Sequence, residues 1–423
     1  MNVPRFLSRS VSRVTPTMHK IRRACFFAAI ESAMNGGSLS VTGLGRNICN
    51  MALEKHRIKR IDRLCSNVKF HREIKSIYHR LAAQAVGQLP RPVIHIDWSD
   101  MDDRKAHFLL RASLAAEGRS LTLYEEIHPL KTKEKPHIHR AFMVRLKDLL
   151  PEDCRPIIVT DAGFRIPWFQ LVTSLGWDYV GRVRNRTHCQ KLTETFRDDP
   201  TDGYWFPIKG LYQFATLKTK DLGLYWLGER AQLMTRMVVL RRCSKGRKDK
   251  TVTGERARRS KQSRSCAMRE KEPWLLATSL CPHGASPKQV ARIYATRMQI
   301  EESFRDLKSG LKMNACGTRN MKRLEVLLII AAVTQYLLYW LGLAVKEAGK
   351  HWQYQVNSIK TRNILSNQFI ALRAYKDKNL KLQKKTLDSR TKHLKIINGK
   401  SKCKLLINFV GIPQPLTPLI HKQ

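Results

Sequence analysis

The run Val326–Val345 is twenty consecutive residues without a charge, VLLIIAAVTQYLLYWLGLAV. A stretch of this kind has two possible destinations. As a helix it is long enough to cross a bilayer, or it can be wrapped on all sides by a protein core. It is the only such run in the chain, and it carries Thr334, Gln335, Tyr336, Tyr339 and Gly342. Polar groups like these are costly in lipid and readily satisfied inside a protein. A fully buried core helix is therefore expected, with no membrane partner. A chain of 423 residues has the length to build that core and to form two to four domains.

Charge narrows the function. Lys and Arg number 78 against 34 Asp and Glu, an excess spread over the whole length. Such a chain is expected to bind a polyanion, nucleic acid first and a membrane surface second. The ten cysteines are scattered with no CxxC pair and no secretory leader. They point to reduced thiols in the cytoplasm rather than to disulfides or a zinc site. The first thirty residues hold no acid and six Arg or Lys, a pattern shared by transit peptides and by basic arms that touch DNA.

Read in order, residues 1–90 form a helical region. Ser38–Asn47 reads as a short helix with a Gly-containing turn. Lys55–Leu64 follows as a basic amphipathic helix with Ile58, Ile61 and Leu64 inward. Two helices with the second loaded with cations suggest a helix-turn-helix-like DNA reader, with Arg57, Lys59 and Arg60 as contacts. Pro90-Arg-Pro92 opens residues 91–183, with strands Val93–Asp97, His107–Leu114 and Ser120–Ile127, a helix near Arg140–Leu150, strand Pro156–Asp161, helix Pro167–Leu175 and strand Asp178–Val183. The order β-β-β-α-β-α-β is that of a mixed α/β sheet. Residues 184–285 read as a β-rich insertion whose basic, Ser-rich run Arg241–Lys271 is a mobile or DNA-contacting loop. Helical pattern resumes over 286–348, and 349–423 is basic and weakly structured, a tail or a dimerisation region.

Two carboxylates stand at predicted strand ends, Asp97 and Asp161. Asp100, Asp102 and Asp103 read as solvated turn residues. In an open α/β sheet, ligands and metals collect at strand C-termini. Paired aspartates there suit Mg²⁺, which takes few protein oxygens and fills its shell with water and phosphate. A third carboxylate comes from Tyr294–Lys308, which lacks Gly and Pro and reads as one helix. At about 100° per residue, Tyr294, Arg297, Glu301 and Lys308 share an arc of about 60°, while Glu302 points away. Helical phase thus selects Glu301. His137-Ile-His139 lacks a third ligand at a sensible spacing and is set aside as a metal site.

The spacing Tyr294-x2-Arg297-x3-Glu301-x6-Lys308 matches the YREK motif of one branch of the DDE transposases of bacterial insertion sequences, and the chain resembles that family. The likeness runs from about residue 38 to 366. It includes Leu44-Gly-Arg-Asn47, Asp97-Trp-Ser-Asp100, Gly118-Arg-Ser-x-Thr-Leu-Tyr-Glu125, Asp161-Ala-Gly-Phe164 and Lys271-Glu-Pro-Trp274. The first 37 residues match loosely, and the Lys-rich tail after about residue 367 departs from the family. The resemblance implies an RNase H-like catalytic core with an all-β insertion, helical N- and C-terminal regions, and Asp97, Asp161 and Glu301 as the metal-binding catalytic triad. It implies two Mg²⁺ ions, with Mn²⁺ able to take their place. Tyr294, Arg297 and Lys308 would contact phosphates near the cleaved end. Trp274 would hold a base displaced at a DNA hairpin. The expected partners are double-stranded DNA, both terminal inverted repeats and target, and a second copy of the chain, at the bacterial nucleoid. The rival readings are an RNase H-like nuclease that cuts without joining and a DNA-binding protein without catalysis.

Overall fold

The computed structural model describes residues 3–102, 105–184, 187–192, 204–243, 260–359, 361–377, 379–380 and 382. The chain forms two compact units. One takes in Met1–Cys154 and resumes at Met298; the other takes in Arg155–Arg297.

The first unit opens with five helices: α1 (Val3–Val14), α2 (Lys20–Met34), α3 (Val41–Arg46), α4 (Glu54–Cys65) and α5 (Val68–Val86). Helix α1 buries Leu7, Val11 and Val14. That part of the acid-free stretch is therefore packed within the first unit. Ser40 caps α3 by accepting from the Gly43 amide. Helices α3 and α4 cross closely at Gly45, where an added Cβ would lie 2.5 Å from Ile58 Cα. Strands β1 (Val93–Asp100), β2 (His107–Ala115) and β3 (Ser120–Pro129) form an antiparallel meander, followed by α6 (Pro136–Leu149).

In the second unit β4 (Ile157–Thr160) leads through α7 (Ile166–Ser174) to β5 (Asp178–Arg182), which lies parallel to β4. Helix α7 sits tightly on the sheet, since a Cβ at Gly181 would come within 2.3 Å of Phe169. Then come β6 (His188–Lys191), β7 (Phe206–Pro207), β8 (Lys220–Leu227), β9 (Leu233–Leu240), α8 (Lys261–Lys271), β10 (Trp274–Thr278) and α9 (Pro287–Ala295). The strand order within this unit is β4-β5-β10-β9-β8-β6-β7. The basic run expected as a loop is in part a helix: Ser260 caps α8 by accepting from the Ser263 amide. Its residues 244–259 lie outside the described residues.

The chain then returns to the first unit with α10 (Met298–Arg305), a π-helical turn at Asp306–Gly310, α11 (Met321–Glu347) and α12 (Asn367–Lys376). Helix α11 is, among the described residues, the one helix long and apolar enough to cross a membrane, and 89% of its apolar window is buried. Its Thr334 hydroxyl is satisfied by the Ile330 carbonyl (2.7 Å). At Gly342 the helix meets the Asn367 carbonyl so closely that a Cβ would lie 2.0 Å from the oxygen. The expectation of weak structure after Lys350 is thus corrected by α12, capped at Ser366 and packed on α11. Residues 383–423, where a tail or dimerisation region was expected, lie outside the described residues.

Candidate active site

Asp97 lies within β1 rather than at its end. The strand continues through Trp98-Ser-Asp100, which pairs with Leu110-Leu-Phe108, so the expected strand end is displaced by three residues. Trp98 favours a pleated, half-buried surface, and its indole nitrogen donates to His139 Nε2 (3.1 Å). Burial lowers the His139 pKa to about 4, with the nearby His128 adding to the effect. The imidazole is therefore a neutral acceptor that anchors the strand beside Asp97. One Asp97 oxygen accepts from the Trp98 amide (2.8 Å). Asp102 takes the amides of Ala106 and His107 (3.1 Å each), the turn role expected of it. Asp100 instead belongs to β1, and Asp103 lies outside the described residues.

The expected single helix over Tyr294–Lys308 is broken. Helix α9 ends at Ala295, where the Thr296 hydroxyl bonds the Ile293 carbonyl (2.6 Å) and the Arg297 amide bonds the Tyr294 carbonyl (3.0 Å). A new helix, α10, starts at Met298, and the π-helical turn at 306–310 shifts the phase again before Lys308. Tyr294 and Arg297 belong to one unit, Glu301 and Lys308 to the other. The shared arc read from the sequence therefore does not exist as one helix face.

Glu301 falls in the first turn of α10, where the helix dipole favours a carboxylate. The helix is tied to the β2–β3 hairpin at several points. Gln299 exchanges two bonds with the Ala116 backbone, 2.9 Å to its carbonyl and 3.2 Å from its amide. Arg111 of β2 donates to Ser303 Oγ (3.1 Å) and to Glu125 of β3 (2.7 Å), and its guanidinium lies 4.9 Å from the centre of the Phe304 ring. The Arg111 and Glu125 side chains are both 0% exposed. Tyr78 donates to the same carboxylate (3.2 Å).

In the second unit Asp161 directly follows β4, as expected. Its Oδ1 accepts from the Gly163 amide (2.8 Å), and a Cβ at Gly163 would crowd that oxygen at 3.0 Å. Tyr294 is buried, and burial raises its pKa; Arg297, Arg182 and Arg184 oppose the rise, and Asp161 adds to it. Three guanidinium groups and one carboxylate thus act on the same phenol. Trp274 meets the Tyr294 ring edge-on (4.8 Å, 80°), and the Arg242 guanidinium lies 4.5 Å from the Trp274 ring centre. Sequence reasoning missed Arg182 and Arg184, while Arg242 fell in the basic run Arg241–Lys271 without a role of its own. The available signal was Gly181-Arg-Val-Arg184, a cationic run leaving the strand that pairs with the Asp161 strand.

On α4, Arg57 donates to the Ile48 carbonyl (2.5 Å) and Arg60 to Cys25 Sγ (3.2 Å), so both brace the helix internally. Lys59 is exposed and pairs with Asp62 (3.3 Å). Lys55, Lys59 and Arg63, spaced by four, are exposed along one stripe. Lys55 and Arg63 are thus outward cations of the same helix.

Among the described residues no three His, Cys, Asp or Glu side chains are grouped to hold a metal ion. Asp97 and Glu301 are carried by one unit and Asp161 by the other. Asp161, held through a single oxygen, is the kind of hard carboxylate donor that a divalent cation takes.

Residues 88–337 match the sequence model of the family described as Transposase DDE domain, more than half of the chain. The chain is a DDE transposase. A comparison with curated protein sequences gave no match. Among solved structures, the piggyBac transposase synaptic complex with hairpin DNA is similar at 11% identity and a TM-score of 0.39, covering 98% of this chain and 84% of that one. As a member of the DDE transposase family, the chain is a DNA-binding enzyme, from a family that works with divalent metal ions. Its mixed α/β organisation follows from the parallel β4–β5 pair beside antiparallel partners.

Proposed function

We propose that the enzyme is a cut-and-paste transposase of the YREK branch, similar to the transposase of the tetracycline-resistance composite transposon, with an RNase H-like core and Asp97, Asp161 and Glu301 as its catalytic carboxylates. The observation that carries this reading is the complete Tyr294, Arg297, Glu301 and Lys308 spacing inside a chain that matches the DDE family over residues 88–337. Two Mg²⁺ ions held by the three carboxylates would activate the attacking oxygen and stabilise the leaving one. Mn²⁺ would serve in their place.

The chain's own residues do the rest. Arg297 and Lys308 hold phosphates flanking the scissile bond, and the Tyr294 hydroxyl, raised in pKa by burial, remains a protonated donor to a phosphate oxygen. Water frees a 3′-hydroxyl at the transposon end. That hydroxyl attacks the opposite strand, joining the two into a hairpin and releasing the flank. Hydrolysis reopens the hairpin, and the same 3′-hydroxyl attacks a target phosphate. A hairpin forces a base out of the stack, and Trp274, half-buried with a cation on its ring, is suited to receive it. Lys55, Lys59 and Arg63 offer a phosphate-contacting stripe on the helix-turn-helix-like pair α3–α4. The working form is a dimer on paired ends at the nucleoid.

The test uses labelled duplexes carrying the inverted repeats that flank the gene, with purified protein, Mg²⁺ and plasmid target. Hairpin ends followed by label joined to the plasmid are expected. Cleavage without any joined product would convert the assignment to a nuclease, and binding without cleavage would remove the catalytic reading.

A further inference from the structure

Among the described residues, Met51 is the most exposed large apolar side chain, at 101%, and Leu53, two positions on, is 63% exposed. Single apolar side chains on a surface are common and need no function. What sets these two apart is the rigid frame that presents them and the charge beside them.

They lie in the segment that joins α3 to α4, and that segment is tied down at both ends. Arg57 reaches back to the Ile48 carbonyl (2.5 Å), Arg46 pairs with Glu54 (2.9 Å), and Asn47 donates to the Gly43 carbonyl (3.0 Å). Asn50 Oδ1 accepts from the Ala52 amide (3.1 Å), a side-chain turn that closes around Met51. The Leu53 carbonyl takes the His56 and Arg57 amides (2.9 and 3.1 Å), so Leu53 opens α4. Two apolar side chains therefore stand exposed on an ordered backbone at the N-terminal end of α4. From there the exposed cations Lys55, Lys59 and Arg63 run along the helix for about 12 Å.

An apolar tip followed by a cationic stripe complements one feature of duplex DNA. The stripe matches phosphates. In the major groove the apolar group that base edges offer is the thymine methyl. In a helix-turn-helix pair it is the N-terminal end of the second helix that meets base edges. Resting on the reading of α3–α4 as the pair that holds the transposon end, we propose that Met51 and Leu53 are specificity-determining residues. They contact thymine methyl groups in the major groove of the terminal repeat, while Lys55, Lys59 and Arg63 hold the flanking phosphates. The apolar pair carries sequence information; the cations supply affinity that any duplex shares.

The probe is the inverted repeat that flanks the gene, as a labelled duplex in which each thymine is replaced in turn by deoxyuridine. That change removes the methyl and keeps every hydrogen bond. Binding of the full chain is followed by fluorescence anisotropy at fixed salt. At one or more positions deoxyuridine should weaken binding roughly 3–10-fold, the scale of one or two buried methyl-sized groups. Met51→Ser/Leu53→Ser should weaken binding to the unmodified repeat by a similar factor, and deoxyuridine at those positions should then cost nothing further. Binding to a scrambled duplex should not change. A repeat in which no methyl matters, or a methyl dependence that persists in full in the variant, overturns the proposal. So does a variant altered only in self-association or in binding to anionic vesicles, since the apolar pair would then face a second copy or a membrane. If the double variant does not fold, Met51→Ser carries the test, because its side chain is fully exposed; it should abolish the methyl dependence at one position at least, and full persistence overturns the proposal. Lys55→Ala/Lys59→Ala/Arg63→Ala runs alongside. It should lower the slope of log K against log salt by about 2–3 on repeat and scrambled duplex alike. An unchanged slope removes the reading of α4 as a DNA contact and the proposal with it. A lowered slope, with methyl dependence intact in the Met51 and Leu53 variants, removes only the role of the apolar pair.

Discussion

Arg111→Met removes a buried cation and leaves its partner in place. The Arg111 and Glu125 side chains are completely buried 2.7 Å apart, and Glu125 would retain only the Tyr78 hydroxyl at 3.2 Å. Breaking such a pair from one side costs about 3–5 kcal/mol, because an uncompensated charge stays in the core. The bond to Ser303 is lost as well, worth about 1 kcal/mol. Against a total stability of roughly 5–15 kcal/mol this is a large fraction. Arg111→Met/Glu125→Leu removes both charges at similar volume, and such replacements are often neutral or stabilising by about 1–4 kcal/mol. Urea unfolding followed by far-UV circular dichroism should show the single variant losing several kcal/mol and the double variant recovering most of it. The double variant should nonetheless cleave DNA more slowly than the parent, because Ser303 of α10 has lost its tether. A single variant that loses less than about 1 kcal/mol, or a double variant no better than the single, refutes the reasoning.

Three further outcomes follow from the same structure. Gly342→Ala places a Cβ 2.0 Å from the Asn367 carbonyl, so α12 must separate from α11; a drop in melting temperature and faster proteolysis after α11 are expected, and an unchanged melt would contradict the close approach. His139 has a folded pKa depressed to about 4 against an ordinary value of 6.5, so its stabilising effect is complete above pH 6.5 and falls away as pH drops toward 4. Discounted for its partial exposure, this amounts to about 1–2 kcal/mol at pH 5; His139→Gln, which keeps an acceptor for Trp98, should flatten that part of the stability profile among the neighbouring His128, Glu126 and Arg145, and an unaltered profile would count against it. Trp274→Ala should leave first-strand nicking intact and slow hairpin formation by roughly 10–100-fold, from about 1–3 kcal/mol of lost stacking; equal slowing of both steps on a denaturing gel would assign Trp274 to packing alone.

How far the chain could be read in advance depended on how local the cause was. The buried α11 was legible because twenty uncharged residues that include Thr334 and Gln335 are better housed in a protein core than in lipid. Strands β1 to β5 and helices α6 and α7 were legible from runs of apolar residues between turn signals. The break between α9 and α10 was not, since no Gly or Pro marks it; a threonine hydroxyl bonding three residues back ends the helix, and that competition is invisible to a periodicity count. The choice of Glu301 over Glu302 was reached through a helical phase that the fold does not keep. Glu302 and Asp306 are engaged by Arg119, more than 180 residues upstream, a pairing that only the tertiary structure shows. Likewise Arg57 and Arg60 looked like DNA contacts by composition, but their bonds to Ile48 and Cys25 turn them inward and leave the outer stripe to Lys55, Lys59 and Arg63.

The most direct test of the catalytic assignment is single-turnover cleavage of a labelled transposon end in Mg²⁺ by Glu301→Gln and Glu302→Gln, each with end binding measured on the same preparation. Glu301→Gln should bind the end and leave it uncut, while Glu302→Gln should bind and cut. Cutting by Glu301→Gln, or its loss in Glu302→Gln alone, would contradict the account.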